Sequence, residues 1–166
     1  MRNKNGFDGV TPAQQALVGY WRACRNTEGR VQRQCVDPGA LRSMLASISL
    51  VEIDPGGAGR FRIAGSRLRD IFGTEVRGRL VTEIAGAHGE CYALGLSAAI
   101  ERGEPVGGLI ETGGRVHAWL RLPLAGEDGR LSQVLCHDAL LTTGELRTIL
   151  ASREGVIQHA GSRFAA

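Results

Sequence analysis

Residues 36–79 read VDPGALRSMLASISLVEIDPGGAGRFRIAGSRLRDIFGTEVRGR. Asp37-Pro38 opens a short helix carrying Leu41, Met44 and Leu45, because Asp can cap and Pro fits the first helical position. Ile48–Asp54 follows as a strand and closes on the turn residues Pro55-Gly56-Gly57. Arg60–Ala64 alternates, with Phe61 and Ile63 expected on one side and Arg60 and Arg62 on the other. So short a turn between two strands implies an antiparallel hairpin. Gly65-Ser66 then starts a helix bearing Leu68, Ile71 and Phe72, ended by Gly73. The stretch contains no catalytic motif.

On its N-terminal side, Thr11-Pro12-Ala13-Gln14 is a helix start with a capping-box residue at Gln14. The helix presents Leu17, Tyr20, Trp21 and Cys24 as one stripe, and Gly29 is its expected end. Residues 1–10 are polar and expected to be disordered. On the C-terminal side, Val81–Ile84 suggests a further helical turn. Ala87–Arg102 is the longest helical pattern, with Tyr92, Leu96, Ala99 and Ile100 on one face and Gly103 as its cap. Three strands follow: Val106–Thr112, Val116–Leu124 and Leu131–Leu141, separated by Gly113-Gly114 and Gly126–Gly129. In the middle strand Val116, Ala118, Leu120, Leu122 and Leu124 share one face, and His117, Trp119 and Arg121 the other. Glu145–Arg153 is expected to be a short final helix, with a loose tail over 155–166.

A hairpin and a three-strand meander can join into one antiparallel sheet with the intervening helices on one face. The expected organisation is an α+β domain over 11–141, N-terminal helix included, followed by a C-terminal segment over 142–166. Trp119 is expected on the opposite sheet face, covered by the N-terminal helix of the same chain or of a second copy.

These elements in this order resemble the PAS domain. Tyr20-Trp21, Asp37-Pro38 with Leu41 and Leu45, Phe61-Arg62, Ala64-Gly65-Ser66, Phe72-Gly73 and Gly78-Arg79 look like a family of short single-domain PAS proteins of alphaproteobacterial type. Ala46 stands where a proline is expected, and Cys35 is unusual in the linker. The resemblance implies a five-stranded antiparallel sheet and a sensor or interaction module without catalytic residues of its own. It implies that small molecules, where bound, lie between the inner sheet face and the helices. It also implies dimerisation through the outer sheet face and the N-terminal helix. Phe61, Ile63, Leu68, Phe72, Leu120 and Leu122 are therefore the expected pocket lining, with a packed core as the alternative. Leu17, Tyr20, Trp21 and Trp119 are the expected interface. A homodimer signalling through a protein partner is the resulting expectation, and a pure dimerisation adaptor with a filled core is the alternative.

Composition bounds the function. The chain has 166 residues, 43% hydrophobic and 22% charged, as in an ordinary globular protein. The net charge is +3, and residues 1–35 hold six Lys/Arg against two Asp/Glu. No dense basic cluster appears, so a solvated helix face is preferred to nucleic-acid binding. No apolar run approaches the ~20 residues that cross a bilayer, and MRNKNGFDGV lacks the apolar core of a secretion signal. A cytoplasmic location without membrane contact is expected.

The four cysteines Cys24, Cys35, Cys91 and Cys136 form no CxxC pair, which argues against a thiolate metal site or redox motif. His88 stands roughly where haem-binding PAS proteins place their axial ligand, but a lone histidine at a Gly-rich helix start reads first as a surface residue or cap. His137 and Asp138 are neighbours on a strand, so their side chains face opposite ways. His117 and His137 could share a metal only if their strands aligned them, and no third ligand is evident. No GxSxG, GxxxxGK[ST], HExxH or strand-linked GxGxxG motif occurs, so no enzyme is expected.

Overall fold

The computed structural model describes residues 6–84 and 87–161. Helix α1 (Pro12–Ala23) leads through 3-10 turns at Arg33–Cys35 and Arg42–Ser47 into the hairpin β1 (Ile48–Ile53) and β2 (Gly59–Ala64). Helix α2 (Leu68–Phe72), a 3-10 turn at Val81–Glu83 and helix α3 (Ala87–Arg102) precede the meander β3 (Val106–Thr112), β4 (Arg115–Ala125) and β5 (Leu131–Thr142). Helix α4 (Thr143–Gly161) is the last element of the described residues. The five strands form one sheet in the order β2-β1-β5-β4-β3, every pair antiparallel. This is the α+β architecture expected of a PAS fold.

Local chemistry sets the boundaries. Thr11 accepts a hydrogen bond from the Gln14 backbone N–H at 3.1 Å, and Pro12 occupies the first turn of α1. Gln14 does not complete a capping box. Its Oε1 accepts from the Val10 N–H at 2.9 Å, and its Nε2 donates to the Ala118 carbonyl at 3.1 Å, pinning α1 to β4. Helix α1 stops at Ala23, and Gly29 (φ +77°) serves the loop after it. Gly73, in the left-handed region at φ +71°, ends α2 as expected.

Two apolar layers flank the sheet. On one face, Leu17, Val18 and Trp21 of α1 pack with Leu120, Leu122 and Leu124 of β4, Leu135 of β5, and Ile48 and Leu50 of β1. On the other, Tyr92, Leu96 and Ala99 of α3 and Leu68 of α2 pack with Val51, Phe61, Val134 and Cys136. The N-terminal helix therefore covers its own sheet. Trp21 adds a hydrogen bond from Nε1 to the Pro123 carbonyl at 2.9 Å.

Several boundaries differ from expectation. Within residues 6–10, Phe7 lies against the α1 layer and Val10 is buried, while Asp8 is exposed. The final helix starts at Thr143 and runs to Gly161, well past residue 153. Its first turn is held by Glu145, whose carboxylate accepts from Thr142 N at 2.7 Å while Thr142 Oγ1 accepts from Glu145 N at 3.1 Å. Among the described residues, no helix is long and apolar enough to cross a membrane.

Candidate functional site

The register of β4 and β5 places a polar cluster beneath α3. Trp119 pairs with Asp138 and Arg121 with Cys136, so these residues and His117 share the α3 face of the sheet. Asp138 Oδ1 lies 2.6 Å from His117 Nε2 and accepts from Arg121 Nη2 at 2.9 Å, and Oδ2 accepts from Arg121 Nη1 at 3.2 Å. The Arg121 guanidinium stacks 3.9 Å from the Tyr92 ring centre and 5.5 Å from that of Trp119. Tyr92 Oη and Ser49 Oγ are 2.7 Å apart, joining α3 to β1. Arg121 and Asp138 are 1% and 0% exposed, so the pair is sealed from water.

Burial alone would raise the Asp138 pKa, but the charge of Arg121 and the His117 hydrogen bond outweigh it and hold the carboxyl below its usual range. Burial opposes the Arg121 charge, yet Asp138 keeps its pKa above the ordinary value. Burial pushes the Cys136 thiol up to about 11, which makes it a poor nucleophile. Asp138 is committed to two cationic or proton-donating partners, an arrangement that fixes the sheet under α3 and leaves no base aimed outward. Among the described residues, no three His, Cys, Asp or Glu side chains are grouped to hold a metal ion.

An open groove of about 670 Å³ runs beside this cluster between α3 and the edge strand β3. Trp119 forms its floor, and Cys91, Leu94 and Ala98 line the helix side. Glycines make room for the indole: a Cβ at Gly95 would stand 2.9 Å from Trp119 Cζ3, and one at Gly108 3.3 Å from Cζ2. Leu94 is 70% exposed at the rim.

The structure separates the residues that were expected to line one pocket. Phe61, Leu68 and Phe72 lie on the α3 side, where Phe61 and Phe72 contact the Tyr92 ring at centroid distances of 5.2 and 5.5 Å. Leu120 and Leu122 lie on the α1 side, and Ile63 reaches the apolar cleft there with Leu41, Leu45 and Ile48. A β-bulge parts Phe61 from Ile63. Leu50 pairs with Ile63 but the next residue, Val51, pairs with Phe61, so Arg62 is the extra residue and the alternation slips.

Trp119 is likewise not under α1. Both faces of β4 are buried, and its Leu120–Leu122–Leu124 face goes to the apolar stripe of α1 while the His117–Trp119–Arg121 face meets α3. Of the other expected interface residues, Leu17 and Trp21 are buried within the chain. Tyr20 Oη donates to the Cys35 carbonyl at 3.3 Å and accepts from Asp37 N at 2.8 Å. His88 belongs to α3, but its side chain lies outside the described residues. The space beneath α3 is filled by Tyr92, Phe61, Phe72 and Arg121, which does not fit a haem. His117 and His137 stand on opposite faces and cannot share a metal.

Sequence reasoning missed the Arg121–Asp138 pair and the role of Gln14. The available signal was an arginine alternating with Trp and His in a strand long enough to be central, since such a charge needs a buried partner.

His137, on the α1 face, has its Nδ1 3.4 Å from Gln14 Nε2. Burial lowers its pKa below 6.5, and Arg121 and Arg67 lower it further, against an opposing effect of Asp138. The unfolded chain then binds a proton that the folded chain resists. The stability due to neutral His137 is complete above pH ~6.5 and is lost as pH falls through the folded value. Urea unfolding is expected to show stability falling from pH 7.5 to 5.5, with a smaller fall in His137→Gln. An equal fall in both proteins would exclude His137 as its source.

The five-stranded antiparallel sheet with its helical layers is of the PAS type. Residues 10–89, just under half of the chain, match the family model described as PAS domain. Among solved structures, the PAS domain of histidine kinase ThkA is 20% identical, with 55% of this chain and 95% of that chain covered and a TM-score of 0.46. A light-oxygen-voltage domain studied with a flavin analogue is 15% identical, with 70% and 93% covered and a TM-score of 0.48. A sensory box sensor histidine kinase from Vibrio cholerae is 12% identical, with 63% and 86% covered and a TM-score of 0.46. No curated protein matches the chain.

Proposed function

We propose that this chain is a non-catalytic PAS signalling module that acts in the cytoplasm through contact with a protein partner, at the groove between α3 and β3. The carrying observation is the filled interior. Tyr92, Phe61 and the Arg121–Asp138 pair occupy the space under α3, while Leu94 and Trp119 form an apolar surface beside it. Exposed apolar side chains bordering a groove are where a partner gains most by excluding water. The partner is a second copy or a separate signalling protein.

A photo-crosslinking residue at Leu94 is expected to give a discrete adduct in the native host, and one at exposed Glu127 is not. An adduct of two copies identifies the dimeric form, and a heavier or lighter species identifies another partner. No adduct at 94, or equal labelling from both positions, would overturn the proposal.

The groove also supports a second reading, an apolar small molecule stacked on Trp119, because about 670 Å³ falls in the range of ligand pockets. Native mass spectrometry separates the two: a bound molecule lost in Trp119→Ala favours the ligand.

A further inference from the structure

We propose that Cys24 and Cys35 form a thiol pair that closes to a disulfide under oxidising conditions and fastens the end of α1 to the sheet. Eleven positions apart in sequence, they meet because the chain turns back after α1: Asn26 N donates to Arg30 O at 2.8 Å. The Cys24 sulfur then lies 3.8 Å from the Cys35 carbonyl oxygen. One sulfur already rests on the main chain of the other cysteine, and Cys35 is exposed, so its side chain can rotate toward Cys24. A disulfide needs Cα atoms roughly 4.4–6.8 Å apart, a separation such a contact allows.

The segment that carries Cys35 is itself anchored. Gln32 bridges Ala125 in parallel, Ala125 N donates to Val31 O at 2.8 Å, and Val36 is buried in the α1 layer. A bond between the two sulfurs would thus tie the last residue of the α1 turn to a strap held on β4. Cys91 and Cys136 offer no such pair, since Cys136 is buried among Tyr92 and Val134.

Glutathione disulfide serves as the oxidant. The Cys35 thiolate attacks one of its sulfurs, forming a mixed disulfide and releasing one glutathione thiolate. The Cys24 thiolate then attacks Cys35 Sγ, forming the protein disulfide and releasing the second. The two protons from the protein thiols end on the two glutathiones, and two electrons pass to the oxidant.

The test is to oxidise the full chain with glutathione disulfide, alkylate free thiols and digest with trypsin. Cleavage after Arg22, Arg25, Arg33 and Arg42 places the two cysteines on separate peptides, 23–25 and 34–42. The expected result is these peptides joined in the monomeric protein, lighter by two hydrogens, separating on reduction. Cys24→Ser should leave Cys35 as a glutathione adduct instead. Both cysteines alkylated, a stable glutathione adduct on Cys35 in the unmutated chain, or a Cys35–Cys35 link between chains would each overturn the proposal.

Discussion

Asp138→Ala is expected to destabilise the fold by about 3–5 kcal/mol, the usual cost of breaking a buried ion pair from one side. The substitution leaves the Arg121 guanidinium, 1% exposed, without the carboxylate that receives its Nη1 and Nη2. Folded domains hold only about 5–15 kcal/mol in total, so this loss is a large fraction of the whole. Urea denaturation measures it. Arg121→Met with Asp138→Leu is expected to recover most of the loss, because two apolar side chains remove the stranded charge. A single variant as stable as the unmutated chain would mean that water reaches Arg121 and that the interior under α3 is not sealed.

The same carboxylate sets an acid limit. Its folded pKa lies below the ordinary 3.8. Its contribution is complete above that value and is lost as pH falls through the folded one. Acid unfolding of the unmutated chain should therefore contain a component below about pH 4 that the double variant lacks.

Trp21→Ala is expected to cost about 3–5 kcal/mol as a large-to-small change in a core. The indole is 2% exposed, donates to Pro123 O and carries the Arg25 guanidinium 4.6 Å from its ring centre. Its loss loosens α1 from Leu120, Leu122 and Leu124, so a dye that reports exposed apolar surface should bind the variant more strongly. Trp119→Phe should cost much less, since Trp119 is only partly buried at the groove floor. Equal losses from the two would mean that α1 is no better fastened than the groove wall.

Element order was legible in the chain because glycine, proline and capping residues punctuate it. Gly73 ends α2, Thr11-Pro12 opens α1, and the expected spans of α3 and β3 coincide with those in the structure. The candidate site was legible only in fragments. Periodicity grouped His117 with Trp119 and Arg121, but a period of two says which residues share a face and not which face it is. The interior polar pair depends on β4 and β5 aligning Arg121 beside Asp138, two residues 17 positions apart. The thiol pair likewise depends on the path of the loop after α1.

The stretch 36–79 alone determined the order of helical turn, hairpin and helix, since its turns are set by local backbone preferences that neighbouring residues carry with them. The helix expected from Asp37-Pro38 is a 3-10 segment over Arg42–Ser47. Tertiary structure alone decided where the side chains went. The bulge at Arg62 turned Phe61 and Ile63 to opposite layers. Packing on two different helices, one with an apolar stripe and one supplying Tyr92 and Gly95, settled which face of β4 each received. Such assignments follow from the shape and polarity of the covering layer, a property of residues far away in the chain.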